Sequence, residues 1–138
     1  MKYDDASWHY GGEGFPEDSP EEYGGVHIGL FLRFCFVIGW AGELHTSEEP
    51  EEVEDVISGK TSGTDFLFKN CDGKLTDEDF NDEGNSFASA YYGDDGNYLA
   101  DLDASFGRLI YNSPESGFDF NAYSKMIESR IASGTLTN

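Results

Sequence analysis

The stretch Val26–Gly42 reads VHIGLFLRFCFVIGWAG, and how it is read decides the fold. It is shorter than the roughly 20 residues that a membrane-spanning helix requires. Arg33 also sits near its middle, where a charge costs about 3 kcal/mol in hydrocarbon. The sequence therefore predicts no membrane span. It predicts a central helix over Val26–Trp40, buried on nearly all sides, with Ala41-Gly42 as its stop because glycine takes the left-handed conformation that closes a helix.

Helical signals continue on the C-terminal side. Ser47-Glu48-Glu49-Pro50 opens a second helix, since proline is tolerated in the first turn and carboxylates are favoured at the positive end of the helix dipole. Val53, Val56 and Ile57 are its inward positions. Thr61–Cys71 reads as a third helix capped by Thr64 and packed through Phe66, Leu67 and Phe68. After Asp72-Gly73, a hydroxyl cap followed by an acidic first turn predicts a fourth helix over 77–92, with Phe80, Phe87, Ala88, Ala90 and Tyr91 apolar. Gly93-Asp94-Asp95-Gly96-Asn97 is a turn, Tyr98–Phe106 a short helix, Arg108–Tyr111 an extended piece, and Asn121–Ser133 the last helix. On the N-terminal side, residues 1–25 lack a sustained period. They read as an irregular arm pinned by Tyr3, Trp8, Tyr10 and Phe15, with at most a short strand at Ala6–Tyr10. The expected fold is mainly α: one compact domain over 1–138 with four to six helices and at most a small β element.

Charge is the second strong signal. The chain carries 28 Asp and Glu against 8 Lys and Arg, a formal net charge of -20. Such a balance accompanies disorder when hydrophobicity is low, but a 15% aromatic content supplies rings large enough to bury. The same field repels phosphate, so direct nucleic-acid binding is disfavoured. Solubility is served by a much smaller charge, which points to a basic partner. Cys35 and Cys71 stand far apart and read as free buried thiols of a cytoplasmic protein. The first residues, Met1–Asp5, have no apolar core of the kind a signal peptide needs.

No motif fixes a chemistry. Asn70–Asp79 (NCDGKLTDED) has the outline of a calcium-binding EF-hand loop around Gly73, but Phe68 stands where the first ligand belongs and an Asp replaces the bidentate Glu. An Asp-Gly turn followed by a helix cap explains the stretch as well. His9, His27 and His45 are scattered singly, so a zinc site would require the fold to gather them, and each reads as capping or packing. There is no Gly-x-Ser-x-Gly elbow, and the glycine pairs Gly11-Gly12 and Gly24-Gly25 lack a following lysine. No cofactor, metal ligand or catalytic residue is assigned.

Tyr3-Asp4-Asp5-Ala6-Ser7-Trp8-His9-Tyr10-Gly11-Gly12, Phe15-Pro16, Glu21-Glu22 and His27-Ile28-Gly29-Leu30-Phe31-Leu32 together resemble the opening of a family of small, acidic, uncharacterised bacterial proteins. Leu75–Asn85 and Phe87–Tyr92 resemble its second signature. The chain departs from that pattern at Gly14 and at Phe34-Cys35-Phe36. The resemblance implies an immunity protein, of the kind bacteria keep beside secreted or contact-delivered toxins, and carries over no catalytic residue.

The resulting expectation is a cytoplasmic, non-enzymatic immunity protein that occludes a cognate toxin with a basic surface. Glu51, Glu52, Asp55, Asp94 and Asp95 would supply the field, and Trp8, His9, Tyr91 and Tyr92 the anchors. Two alternatives stand beside it. One is a small hydrolase-like enzyme with a carboxylate and histidine pocket built from Asp4, Asp5, His9 and His27; the other is an acidic adaptor without a toxin partner.

Overall fold

The computed structural model describes residues 1–137. Strand β1 (Lys2–Asp5) leads directly into α1 (Ala6–Tyr10), and a 3-10 turn at Glu21–Gly25 feeds α2 (Val26–Val37). Helices α3 (Glu43–Glu48), α4 (Pro50–Ser58) and α5 (Gly63–Asn70) follow, then strand β2 (Lys74–Thr76) and a 3-10 turn at Asp77–Asp79. Helices α6 (Asp82–Tyr91), α7 (Tyr98–Phe106) and α8 (Phe120–Ser133) complete the body, with a last 3-10 turn at Glu115–Gly117.

The mainly α domain with one small β element is what forms. Eight α-helices are present among the described residues, more than the four to six expected, because α1 and α3 are only 5 and 6 residues long and too short to show a helical period. Ala6–Tyr10 is helix and not strand: the Asp5 carboxylate accepts the Ser7 N–H at 2.9 Å and caps it. The strand lies just before it. β1 pairs antiparallel with β2, Asp4 opposite Leu75 and Asp5 opposite Lys74. A two-stranded ribbon is marginal alone, and this one is fastened by its ends, Ala6 N–H to Gly73 O at 2.8 Å and Asp77 N–H to Met1 O at 3.1 Å.

Helix α2 is the centre of the core, with Ile28, Leu30, Phe31, Leu32 and Cys35 fully buried. It ends at Val37, short of the expected Trp40, because Gly39 already turns into the left-handed region at φ 90°. The Gly39 and Trp40 N–H groups then bond back to Phe36 and Cys35 carbonyls, a Schellman closure. α5 crosses α2 at a glycine contact: a Cβ on Gly63 would stand 1.9 Å from the Gly29 carbonyl oxygen, and one on Gly29 would stand 2.4 Å from the Thr64 nitrogen. The buried Glu115 carboxylate fastens the same corner by accepting the Gly63 and Thr64 N–H groups at 3.0 and 2.8 Å and the Thr64 hydroxyl at 2.8 Å.

Three further boundaries differ from expectation. Ser62, not Thr64, caps α5, since its hydroxyl accepts the Asp65 N–H. The single helix expected over 77–92 is broken at Phe80, whose extended backbone separates the 3-10 turn from α6. Arg108–Tyr111 is a run of turns, not an extended piece. No helix among the described residues is long and apolar enough to cross a membrane.

Candidate functional site

Five side chains from five parts of the chain meet under the N-terminal segment. Asp4 comes from β1, His9 from α1, His27 from the first turn of α2, Tyr92 from the residue after α6, and Tyr111 from the turns after α7. Asp4 is buried near the end of β1, and α1 starts immediately after the strand, so His9 folds back over Asp4 within one turn. His9 Nε2 lies 2.7 Å from Asp4 Oδ1, and His27 Nε2 lies 3.1 Å from Asp4 Oδ2. The two Nε2 atoms are 3.1 Å apart, with the rings edge to face.

An outer set of groups orients this triangle. The Tyr92 hydroxyl donates a short hydrogen bond to Asp4 Oδ2, and the Asp5 N–H donates to Oδ1 at 2.8 Å. The Tyr111 hydroxyl meets His9 Nδ1 at 2.5 Å. Tyr111 holds that position with φ 65°, in the left-handed region. For a bulky residue this is a backbone outlier of order 1–3 kcal/mol, of the kind that gathers at functional sites.

The electrostatics follow from burial and hydrogen bonds. Burial alone would raise the Asp4 carboxyl, but hydrogen bonds from His27, His9 and Tyr92 outweigh it and hold the group well below the usual carboxylate range. Burial lowers His27 and keeps the imidazole neutral. Burial raises the Tyr92 and Tyr111 phenols, with the Asp4 charge acting in the same direction. Asp4 is thus an anion and His27 a neutral base.

The cluster opens on one side. Asp4, His9 and Tyr92 line a cleft of about 350 Å³ whose rim carries Trp8, Asp94 and Leu99. Trp8 and Leu99 are 56% and 50% exposed. A larger depression of about 610 Å³ is lined by the consecutive stretch Asp103–Leu109 and brings no distant residues together.

A second cluster joins His45, Glu49, Cys71 and Asp79. Both His45 nitrogens face carboxylates, Nδ1 at 2.6 Å from Glu49 and Nε2 at 2.7 Å from Asp79, so neither offers a free lone pair. Cys71 Sγ donates to Asp79 at 3.4 Å, and burial followed by the Asp79 charge holds the thiol protonated. Asp79 is also committed to the Thr76 N–H in a capping box. This arrangement is an ion pair that ties α3 to the 3-10 turn after β2, whereas Asp4 and His9 line an open cleft.

The structure sorts the residues singled out from sequence. Trp8, His9, Tyr92 and Asp94 come together at the cleft, and Asp95 is exposed beside it. Tyr91 and Tyr92 are corrected as surface anchors: both rings are buried, with hydroxyls spent on Asp101 and Asp4. Glu51, Glu52 and Asp55 lie on α4, which packs on α2, α3 and α5 and does not reach the cleft. Glu52 is paired with Lys69. Asp5, named with His9 in the pocket alternative, turns away to Ser7 and Lys2. Tyr111 carried no sequence signal, being separated from His9 by 102 positions.

The model of the family described as Domain of unknown function (DUF7832) matches residues 2–116. The chain belongs to the DUF7832 family. That span takes in Asp4, His9, His27, Tyr92 and Tyr111, so the whole cluster lies inside the DUF7832 domain, while all of α8 lies beyond it. No curated protein and no solved structure matches the chain.

Proposed function

We propose that this DUF7832 protein is a non-enzymatic binder that neutralises a basic partner domain, in the manner of a bacterial immunity protein working in the cytoplasm. The observation that carries the reading is the uncompensated surface charge. Of the few cations, Lys2, Lys69, Lys74 and Arg130 are each spent on a carboxylate of the same chain. Glu51, Glu54, Asp94 and Asp95 stay exposed, and exposed Trp8 and Leu99 offer apolar contact at the cleft rim. An acidic surface of this kind steers a basic domain into encounter, and an aromatic rim residue supplies the buried contact that slows dissociation. The test is co-expression with the product of the gene immediately upstream, if that gene encodes a toxin-tipped effector. Rescue of growth together with a stoichiometric complex supports the reading; growth arrest with no complex at low salt overturns it.

One observation favours a second reading, a small hydrolase-like enzyme: an ionised carboxylate, two imidazoles and a tyrosine hydroxyl converge on the floor of an open cleft. Turnover of an ester or phosphoester panel, lost in His9→Ala, would decide for it.

A further inference from the structure

We propose that Asp4, His9 and His27 form a binding site for one divalent transition-metal ion of zinc's class, with a remaining coordination position turned to the cleft. This goes beyond the partner-binding reading and does not depend on it.

Three contacts link the groups: His9 Nε2 to Asp4 Oδ1 at 2.7 Å, His27 Nε2 to Asp4 Oδ2 at 3.1 Å, and the two Nε2 atoms to each other at 3.1 Å. If both Nε2 atoms carry protons, each can donate to the carboxylate, but the contact between the rings then sets N–H against N–H. If only one carries a proton, one nitrogen lone pair faces either the carboxylate or the other lone pair. No arrangement of protons on neutral imidazoles satisfies all three sides at once. A cation at the centre satisfies all three, because each group then directs a lone pair at it.

The dimensions suit a small ion. Ligands about 2.0–2.1 Å from a tetrahedral zinc lie about 3.3 Å from one another. The two Nε2 atoms, 3.1 Å apart, are within a few tenths of an ångström of that, and one ligand atom from each of Asp4, His9 and His27 lies within 4.8 Å of the others. Two imidazole nitrogens and one carboxylate oxygen select zinc-class ions over Mg²⁺ and Ca²⁺, which take oxygen ligands. The outer groups are those a metal site uses: Tyr111 on the far nitrogen of His9, and Tyr92 with the Asp5 N–H on the Asp4 carboxylate. His27 closes the buried side at 3% exposure, while Asp4 and His9 line the cleft, so the open position faces water or an oxygen ligand there.

The test is Zn²⁺ titration calorimetry on the chelator-stripped full chain, in excess Mg²⁺ to occupy the surface carboxylates. One Zn²⁺ per chain is expected. His9→Ala and Asp4→Asn should each weaken binding more than about 100-fold, and Tyr111→Phe about 10–100-fold. Cys71→Ser, in the other cluster, should bind as the parent does. Circular dichroism identifies any variant that fails to fold, and His9 on the short surface helix α1 gives the most tolerant substitution. Co²⁺ added to the parent should give the visible absorption of a tetrahedral site. Zinc uptake equal in the parent and His9→Ala, or lost in Cys71→Ser and kept in His9→Ala, overturns the proposal.

Discussion

His45 shows how one side chain couples this fold to pH. It is 1% exposed, and burial by itself would lower its pKa, but the hydrogen bonds its ring donates to Asp79 and Glu49, together with their charges, outweigh burial and raise it above the ordinary 6.5. A raised folded pKa means that folding favours the protonated ring. Its contribution to stability is therefore fully present below about pH 6.5 and is lost as pH rises through the raised folded value. Removing the ring leaves Asp79 and Glu49 facing each other without a cation, a loss of about 3–5 kcal/mol for a buried pair. Urea unfolding of the parent and His45→Ala across about pH 6 to 9 should show the difference between them largest at the acid end and shrinking with pH. A difference that grows with pH would contradict the charged role of His45.

Among the elements, the crossing of α2 and α5 determines how the core closes. At Gly63 the atom in the way is the Gly29 backbone oxygen, which cannot swing aside as a side chain can, so the helices must separate. Gly63→Ala is expected to cost about 3 kcal/mol, the upper end for overpacking, while Gly14→Ala, with nothing within 4 Å of its Cβ, should stay within about 0.5 kcal/mol. Equal urea midpoints for the two variants would remove the close crossing from the account. Glu115→Ala should cost about 1–3 kcal/mol in the same assay, since two α5 N–H groups lose their acceptor. α2 was legible because its apolar residues fill every side; α4, α6, α7 and α8 were legible because caps and turns punctuate them. The Gly29–Gly63 contact was not, because a glycine's neighbour across a crossing leaves no mark on local pattern. The candidate site was half legible: Asp4, His9 and His27 could be named as a pocket, but Asp5 looked equivalent to Asp4, and only tertiary placement sets one carboxylate against the imidazoles and the other on Ser7 and Lys2. Tyr111 depended wholly on tertiary placement.

For the whole molecule, the net charge of -20 acts in opposite directions on folding and on binding. Like charges spread over one small body repel, so salt should stabilise the fold; an acidic surface attracts a basic partner, so the same salt should slow association. Screening acts over a Debye length of about 8 Å at physiological ionic strength and about 3 Å at 1 M, which leaves close ion pairs such as Arg130–Asp101 less affected than the diffuse field. Raising NaCl should therefore raise the thermal midpoint of the free chain while lowering the association rate with the proposed basic partner, with dissociation changed much less. Which surface the partner meets is separable by charge reversal. Asp94→Lys with Asp95→Lys acts at the cleft rim, and Glu51→Lys with Glu54→Lys acts on α4. The pair nearer the interface should slow association several-fold more than the other and flatten its salt dependence. Trp8→Ala distinguishes steering from anchoring: it should leave the association rate nearly unchanged and speed dissociation, with a loss of about 2 kcal/mol or more if Trp8 is the buried contact. A Trp8→Ala variant with unchanged dissociation, beside a strong effect from the α4 pair, would move the interface away from the cleft and leave the Asp4–His9–His27 cluster open while the partner is bound.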